Sequence, residues 1–280
     1  MVPAVQSVIM TGTQASSASL VAGDFTPADL DFTLVIPFYN PGERFGAHIK
    51  NVLSVLSESG TTYEVLAVSD GSTDESEAQL VGIESDALTL IQLPENSGKG
   101  AALRLGLARG RGRYLGFIDG DGDIPAEILR EYLERIATDA PDIIYGSKRH
   151  RDSKVVYPPL RRIYSWLYQQ LNWCLFHLPV RDTQTGVKAL RRDVLVSALP
   201  RMVEKRYAFD LELFVVAMRQ GFTDFVEMPV TIVERVTSTV SIHSVWRTLQ
   251  DTVAIFYRLR IVHYYDRDLA PTDADAIELI

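Results

Sequence analysis

Three carboxylates alternate with glycines in one short stretch of the chain. Segment 116–125 reads GFIDGDGDIP and places Asp119, Asp121 and Asp123 directly after the apolar run 114–118. Like charges at this spacing raise one another's pKa unless a cation neutralises them. The stretch therefore predicts a divalent cation held by this carboxylate cluster at the end of a buried strand. Mg²⁺ and Mn²⁺ fit, because such ions share their coordination between a few protein oxygens, water and substrate phosphates.

Two other interpretations of these aspartates explain less. An EF-hand loop needs glycine at its sixth position and glutamate at its twelfth, where this chain has Ile124 and Arg130. A capping turn ahead of a helix would use one aspartate and leave the others unexplained. A carboxylate cluster that holds a cation against a diphosphate accounts for all three.

A lysine at a predicted helix start is a second candidate for phosphate chemistry. Segment 95–106, ENSGKGAALRLG, has neither the Walker A spacing nor the Rossmann spacing of glycines. Lys99 at the first turn of this helix would still meet a phosphate there. A solvated lysine at the helix start is the alternative, and the sequence alone does not separate the two.

The elements that must position these residues alternate in type from residue 32 onward. Apolar runs predict strands at 32–37, 63–70, 88–94, 114–119 and 142–147. Helical periodicity or caps predict helices at 43–58, from 74, at 98–110 and at 125–137. Strands that are apolar throughout indicate a parallel sheet covered on both faces, whose ligands bind beyond the carboxyl ends of the strands. We therefore expect the polar strand ends to form one rim that carries the site.

The second half of the chain changes in character. It predicts helices at 159–176, 206–222 and 242–262, a loop that enters a strand within 180–190, and an extended segment at 225–235. The first and last of these helices interleave aromatic and aliphatic residues with arginines, which suits either a membrane interface or packing on the core or on a second copy. The arginines are Arg161, Arg162, Arg247, Arg258 and Arg260.

Composition narrows the class of protein. The 280 residues are 46% hydrophobic and 23% charged, which is typical of a globular protein. A net charge of −8 argues against non-specific nucleic-acid binding. We expect no membrane-spanning segment, a disordered lead-in at residues 1–30 that is a poor signal peptide, and a loose tail at the end. The single cysteine, Cys174, is expected to be a small core residue.

Several motifs taken together resemble the family 2 glycosyltransferases of the GT-A fold, an α/β architecture. They are LVIPFYN, VSDGSTDES, NSGKGAALRLGL, FIDGDGD, YGSKR, RDTQTGVKAL and FDLELFVVA, spread over about residues 32–235. Their order is most similar to the branch that makes polyprenyl- or dolichyl-phosphate sugars. The resemblance implies a GT-A domain at 31–235, a C-terminal amphipathic helix and tail at 236–280, a nucleotide-sugar donor, Mg²⁺ or Mn²⁺, and inversion at the anomeric carbon.

The resemblance also assigns donor-binding residues by position. Asp119 matches a carboxylate near the ribose or uracil, Asp121 matches the metal ligand of the D-x-D motif, and Asp123 stands where relatives often have a glutamine that reaches the metal. The family's acidic residue after the first-motif asparagine is displaced here by two positions, to Glu43. The residues expected at the donor are Pro37, Tyr39, Glu43, Asp70, Gly71, Ser72, Lys99, Asp119 and Gly120.

Acceptor and catalytic residues follow in the same way. Relatives hold an acceptor phosphate where this chain has Arg149, Arg162, Arg181 and Thr185. A phosphate acceptor is already an anion at neutral pH and attacks without a general base, whereas a hydroxyl acceptor needs one. The candidate bases for a hydroxyl acceptor are Asp182, Asp210 and Glu212. The residues expected to be catalytic are Asp121, Arg181 and Asp182.

The expected activity is therefore transfer of a hexose, glucose in preference to mannose, from UDP or GDP to a polyprenyl or dolichyl phosphate. The enzyme would lie on the cytoplasmic face of a membrane without spanning it, and a homodimer is left open. One alternative is a soluble family 2 transferase that acts on a hydroxyl of a small metabolite or glycan. The other is a non-catalytic protein that binds a nucleotide sugar.

Overall fold

A computed structural model describes residues 6–9, 28–155, 159–206, 208–232 and 242–267. The strands are β1 (Gln6–Ile9), β2 (Leu30–Phe38), β3 (Tyr63–Ser69), β4 (Leu88–Gln92), β5 (Gly112–Ile118), β6 (Ile143–Ser147), β7 (Lys154–Val155), β8 (Val187–Arg191), β9 (Phe225–Pro229) and β10 (Thr231–Ile232). The helices are α1 (Phe45–Ser57), α2 (Ala78–Val81), α3 (Lys99–Arg109), α4 (Ile128–Asp139), α5 (Pro159–Phe176), α6 (Arg192–Ala198), α7 (Phe209–Arg219) and α8 (Ile242–Arg260). Short 3₁₀ helices cover Leu199–Arg201 and Tyr264–Asp266.

The central sheet has the strand order β1-β4-β3-β2-β5-β8-β6-β9. All neighbours pair in parallel except β8, which runs antiparallel between β5 and β6. The predicted α/β class with a mostly parallel sheet flanked by helices is confirmed. The antiparallel β8 places the loop that precedes it, residues 180–186, beside the carboxyl end of β5, where the acidic stretch begins.

Helices cover both faces of this sheet, which explains why its central strands are mostly apolar. On one face Leu103 of α3 and Phe214 of α7 pack with Val35 in one buried cluster. On the other face Ile49 of α1 and Tyr132 of α4 pack in a second cluster. Full burial of such side chains contributes about 1.5–3 kcal/mol each. The two clusters fix the strands, and hence the rim where the strands end.

The structure differs from the sequence-based expectation in three places. Gln6–Ile9 pairs in parallel with β4, so this part of the expected lead-in is an edge strand. The helix expected from residue 74 is only Ala78–Val81, because Asp74 instead accepts hydrogen bonds from the backbone N–H groups of Gly42 and Ser76. Cys174 is exposed, so its expected place in the core is wrong. The predicted tail from residue 270 lies outside the described residues.

The two aromatic-rich helices pack against each other. The hydroxyls of Tyr168 in α5 and Thr252 in α8 lie 3.0 Å apart, and Phe176 meets Phe256 edge to face. Ile255 of α8 is fully buried in the core. Within the described part of the chain, no helix combines the length and the apolar character needed to cross a bilayer.

Candidate active site

The polar strand ends do meet at one rim, as predicted. Lys99, the first residue of α3, places its Nζ 2.5 Å from Oδ1 of Asp119, which directly follows β5. Gly120 lies against the carboxyl end of β2, since a Cβ on it would be 2.9 Å from the carbonyl oxygen of Pro37. Four of the residues predicted to bind the donor, Pro37, Lys99, Asp119 and Gly120, are therefore neighbours in space.

Asp119 is held by the loop that leads into β8. Its backbone N–H donates to the carbonyl of Gly186 at 2.9 Å, and a Cβ at Gly186 would lie 1.8 Å from Asp119 Oδ2. Burial raises the pKa of Asp119, and the Lys99 ammonium opposes that rise. Burial would lower the pKa of Lys99, but the carboxylates around it, Asp119 foremost, raise it on balance. We infer that the two groups form a charged pair at neutral pH.

The acidic turn continues outward from this pair. Gly122 has a positive φ of 70°, and the N–H of Asp123 donates to Oδ1 of Asp121 at 3.0 Å. Asp121 is exposed and Asp123 is half-buried. His48 lies beside the turn, because a Cβ at Gly122 would be 3.4 Å from its Nδ1.

The carboxylate oxygens of this turn determine how the predicted cation could be coordinated. Among the residues that the structure describes, no group of three or more His, Cys, Asp or Glu side chains is arranged to hold a metal ion. A cation at Asp121 and Asp123 would therefore take most of its ligands from water and substrate oxygens. Mg²⁺ and Mn²⁺ accept that kind of coordination, so the carboxylates present fit the group.

Asp70 holds the loop that precedes α3 through hydrogen bonds. Its two carboxylate oxygens accept the backbone N–H groups of Ser97 at 2.7 Å and Gly98 at 2.9 Å. Burial raises the pKa of Asp70, and these two hydrogen bonds act against the rise. Gly71 has φ +70°, and a Cβ there would lie 2.7 Å from the carbonyl carbon of Glu95. Asp70 and Gly71 thus position the loop from which Lys99 projects, a role that the sequence did not predict.

The end of β2 is joined to the loop after β3. The N–H of Asn40 donates to Oγ of Ser72 at 3.1 Å, and the N–H of Thr73 donates to Oδ1 of Asn40 at 2.7 Å. Tyr39 is 49% exposed and presents its ring at the rim, whereas Glu43 lies exposed in the turn before α1. Ser72 is therefore engaged within the protein, whereas Tyr39 is accessible.

The predicted base Asp182 has both oxygens occupied. Oδ2 accepts the N–H of Lys148 at 3.0 Å and the hydroxyl of Thr185 at 2.7 Å, while Oδ1 accepts the N–H of Gln184 at 3.0 Å. Thr185 is fully buried. The pair closes the loop before β8 and ties it to the end of β6. Both Asp182 oxygens and the Thr185 hydroxyl are thus engaged within the protein, and their expected roles as a catalytic base and as a ligand of the acceptor phosphate stay predictions.

The other two candidate bases are also buried within ionic contacts. Asp210 receives Nζ of Lys188 at 2.6 Å, and both side chains are almost completely buried. Lys188 also donates to the carbonyl of Thr185 at 2.7 Å, and burial lowers its pKa against the opposing effect of Asp210. Glu212 has no exposed surface and accepts hydrogen bonds on both oxygens, from Val203, Glu204, Arg258 and Tyr265. Both carboxylates are thus engaged within the protein, and their expected role as a base for a hydroxyl acceptor stays a prediction.

The predicted acceptor arginines line a groove beside α5. Arg149 donates through Nη2 to the carbonyl of Ser165 at 2.7 Å, which ties the end of β6 to that helix. Arg181 is 72% exposed on its side chain and lies 3.8 Å from Glu227. The groove has a volume of about 570 Å³ and is lined by Arg149, Gln169, Gln170, Trp173, Leu178, Pro179, Val180 and Arg181. Arg162 lies on α5, but its side chain is outside the described residues.

The family of the chain follows from comparison with known proteins. Residues 33–197 match the family model of Glycosyl transferase family 2. The chain belongs to this family. The match includes the acidic turn, Lys99 and the loop before β8, so the rim described above lies within the glycosyltransferase domain.

Several curated relatives share one name. The protein is 31% identical over 204 residues to a dolichyl-phosphate beta-glucosyltransferase from Drosophila melanogaster, an alignment that covers 67% of this chain and 63% of the relative. It is 30% identical to the Homo sapiens protein of that name, with 66% and 62% covered. A dolichyl-phosphate beta-glucosyltransferase from Trichomonas vaginalis is 26% identical, with 91% and 79% covered. This chain thus spans a little under two thirds of the fly and human relatives.

Solved structures support the fold. Glucosyl-3-phosphoglycerate synthase from Mycobacterium tuberculosis, in complex with Mn²⁺, UDP and phosphoglyceric acid, superposes with a TM-score of 0.64 at 15% identity, covering 96% of this chain and 89% of that one. Mannosyl-3-phosphoglycerate synthase from Rubrobacter xylanophilus gives 0.63 at 16% identity, with 90% and 84% covered. This glycosyltransferase therefore has the GT-A fold that its motifs implied.

Sequence reasoning missed several residues that shape the site of this glycosyltransferase. Gly186 and Lys188 stand in the quoted segment RDTQTGVKAL, where a glycine and a lysine entering an apolar strand were the available signal. The backbone carbonyl of Lys205 lies against Gly98 and Gly100. In the sequence, only the two glycines on either side of Lys99 indicate that close approach. No local pattern pointed to the partners of Glu212.

Proposed function

We propose that the protein is an inverting glycosyltransferase that transfers glucose from UDP-glucose to a polyprenyl or dolichyl phosphate. The names of the curated relatives support the sugar and the lipid acceptor. The family match supports a nucleotide-sugar donor. The observation that carries the proposal is the rim itself, where an accessible acidic turn and Lys99 converge while the three candidate bases are engaged within the fold.

The donor would bind at the carboxyl ends of β2 to β5. Tyr39 would contact the nucleoside, and Lys99, held by Gly98 and Asp119, would face the negative charge that develops on the leaving diphosphate. Asp121 and Asp123 would hold Mg²⁺ or Mn²⁺, which when bound neutralises part of that charge. Asp70 would keep the loop in place by its hydrogen bonds to Ser97 and Gly98.

The occupied carboxylates favour a phosphate acceptor. A hydroxyl nucleophile must lose a proton during attack, and a positioned base supplies much of the rate for that step. Asp182, Asp210 and Glu212 are each committed to hydrogen bonds or an ion pair inside the protein. A phosphate monoester is already anionic at neutral pH and needs only to be oriented. Arg149 and Arg181 in the groove beside α5 are the cations that we assign to this task.

The lipid would approach along α5 and α8. These helices, with the residue that follows α8, expose a set of large apolar side chains: Tyr164, Trp166, Leu167, Trp173, Trp246, Val253, Tyr257 and Ile261. Trp173 belongs both to this set and to the wall of the groove, so the apolar surface is continuous with the proposed acceptor site. Arg247 and Arg260 are exposed on α8, where they would meet lipid phosphates. We propose that this surface, here called the aromatic face, lies on the cytoplasmic side of a membrane.

The test is a transfer assay with matched acceptors. Purified protein, UDP-glucose and Mn²⁺ are incubated in detergent with a short polyprenyl phosphate, with the corresponding polyprenol, or with phosphoglyceric acid. The proposal expects a glucosylated lipid only from the phosphate, together with release of UDP. Transfer to the polyprenol or to phosphoglyceric acid, with none to the polyprenyl phosphate, would overturn it. GDP-mannose in place of UDP-glucose tests the sugar.

A further inference from the structure

A short segment ahead of α7 lies directly on the start of α3. The carbonyl of Lys205 accepts the N–H of Ala101 at 3.1 Å. A Cβ at Gly98 would lie 2.5 Å from that carbonyl oxygen, and a Cβ at Gly100 would lie 2.7 Å from the carbonyl carbon of Lys205. The two backbones are in contact on either side of Lys99, so residues 202–206, here called the bracing segment, help to set where the Lys99 ammonium stands.

The buried carboxylate of Glu212 holds the backbone of this segment. Its Oε2 accepts the N–H groups of Val203 at 2.9 Å and Glu204 at 2.8 Å, and its side chain has no exposed surface. Arg104 of α3 also donates to the carbonyl of Met202. The backbone of the bracing segment is thus fixed by one carboxylate from α7 and one guanidinium from α3.

The C-terminal helix completes the network. Nη1 of Arg258 in α8 lies 2.7 Å from Oε1 of Glu204 and 3.3 Å from Oε1 of Glu212. The hydroxyl of Tyr265 donates to the same Glu212 oxygen at 2.6 Å. One guanidinium therefore bridges the side chain of the bracing segment and the carboxylate that holds its backbone.

The charges of Glu204, Glu212 and Arg258 make loss of the arginine costly. Two carboxylates share a buried place, and burial raises the pKa of both Glu204 and Glu212 while Arg258 acts in the opposite direction. Loss of one partner from a buried ionic network leaves the others unpaired, which is far more costly than loss of an exposed pair. The segment should then shift or loosen, and the N–H of Ala101 should lose the Lys205 carbonyl and keep only its second acceptor, the carbonyl of Gly98 at 2.9 Å.

We propose that Arg258 and Glu204 are positioning residues for the donor site, acting through the bracing segment on Lys99. The inference rests on the proposed function in so far as Lys99 faces the donor diphosphate. It connects α8, part of the aromatic face, to the chemistry at the rim. Substitution at Arg258 weakens donor binding although its guanidinium reaches neither Lys99 nor the acidic turn.

Two measurements on the full chain test this. The first is the Kd of UDP in the presence of Mn²⁺, measured by calorimetry well below the melting temperature. Arg258→Met should raise the Kd about tenfold or more, Arg258→Lys should restore part of the loss, and Glu204→Gln should give a smaller rise. The matched control is Arg219→Met, which breaks the exposed pair between α7 and Asp266 and should change the Kd less than about twofold.

The second measurement is hydrogen exchange of the amides at 97–102, with β3 as an internal reference. Arg258→Met should speed exchange at 97–102 about tenfold without changing β3, whereas general destabilisation would move both. Failure of the wild type to bind UDP would refute the proposed function, and exchange at 97–102 would still decide the coupling. Should Arg258→Met not fold, Glu204→Gln carries both readouts. Equal Kd values and equal exchange in the wild type and in the folded Arg258 or Glu204 variant would overturn the inference.

Discussion

Asp70→Asn separates a residue that positions the donor site from one that touches the donor. The carboxylate of Asp70 accepts two backbone N–H groups, from Ser97 at 2.7 Å and from Gly98 at 2.9 Å. Asparagine keeps one acceptor oxygen and turns an NH₂ group toward the second N–H, so one hydrogen bond is lost and two donors oppose each other. We expect a lower melting temperature and a higher KM for UDP-glucose.

The magnitude follows from the charge and burial of the group. A hydrogen bond to a charged group contributes about 1.5–3 kcal/mol, and an opposed donor adds to the loss. Asparagine also removes the cost of burying the negative charge, which raises the pKa of Asp70, so the net loss is about 2 kcal/mol. For a domain of this size that corresponds to a fall in melting temperature of about 4–8 °C.

The assay is a thermal melt combined with steady-state kinetics. The control is Asp29→Asn, because Asp29 is exposed and its ion pair with Arg111 lies at the surface. This substitution should change the free energy of unfolding by less than about 0.5 kcal/mol. An Asp70→Asn protein with the wild-type melting temperature and an abolished affinity for UDP would refute the reasoning. That result would mean that Asp70 contacts the nucleoside directly, as the resemblance to the family implied.

Three further predictions concern charge, pH and the membrane. Lys99→Met should lower kcat about 100-fold or more in the transfer assay, with Lys99→Arg less affected; equal rates would contradict its role. Burial raises the pKa of Glu204 to about 7, so between pH 4.5 and 7 the folded state binds a proton that the unfolded state has released. Stability from this group therefore falls as pH rises through that window, and the pair with Arg258 is fully ionised only above it. In thermal melts, Glu204→Gln should reduce the change in the free energy of unfolding between pH 4.5 and 7 by about 2–3 kcal/mol. An unchanged pH dependence of stability would contradict this role of Glu204. Trp173→Glu and Trp246→Glu should each lower the affinity for anionic vesicles about tenfold, as measured by cosedimentation. Unchanged vesicle binding together with a concentration-dependent dimer would assign the aromatic face to contact with a second copy.

The sequence predicted the rim because its logic is local to each strand. Apolar runs that end in Asp70, Asp119 or Asn96 mark strand ends, and parallel strands bring such ends together. The pattern of Phe45, Ile49 and the apolar positions after them likewise gave α1 to within two residues of the observed Phe45–Ser57. These inferences needed no knowledge of distant parts of the chain.

The partners of the site residues could not be predicted in the same way. Asp182 and Thr185 resemble exposed loop residues in sequence, and only the fold shows that they bond each other and the end of β6. The bridge from Glu212 to Arg258 joins positions 46 residues apart, which no local pattern records. The strand after residue 180 was predicted but its antiparallel direction was not, since strand direction depends on the path of the connections and not on the apolar pattern.

The central claim is that the acidic turn after β5 holds a divalent cation against the diphosphate of the donor. Calorimetric titration of UDP into the wild type and into Asp121→Asn, each with Mn²⁺ and with a chelator, tests it most directly. The account predicts that Mn²⁺ strengthens UDP binding to the wild type and that Asp121→Asn loses this increment while it stays folded. UDP binding that is equally tight with and without Mn²⁺, or an increment that persists in Asp121→Asn, would contradict it.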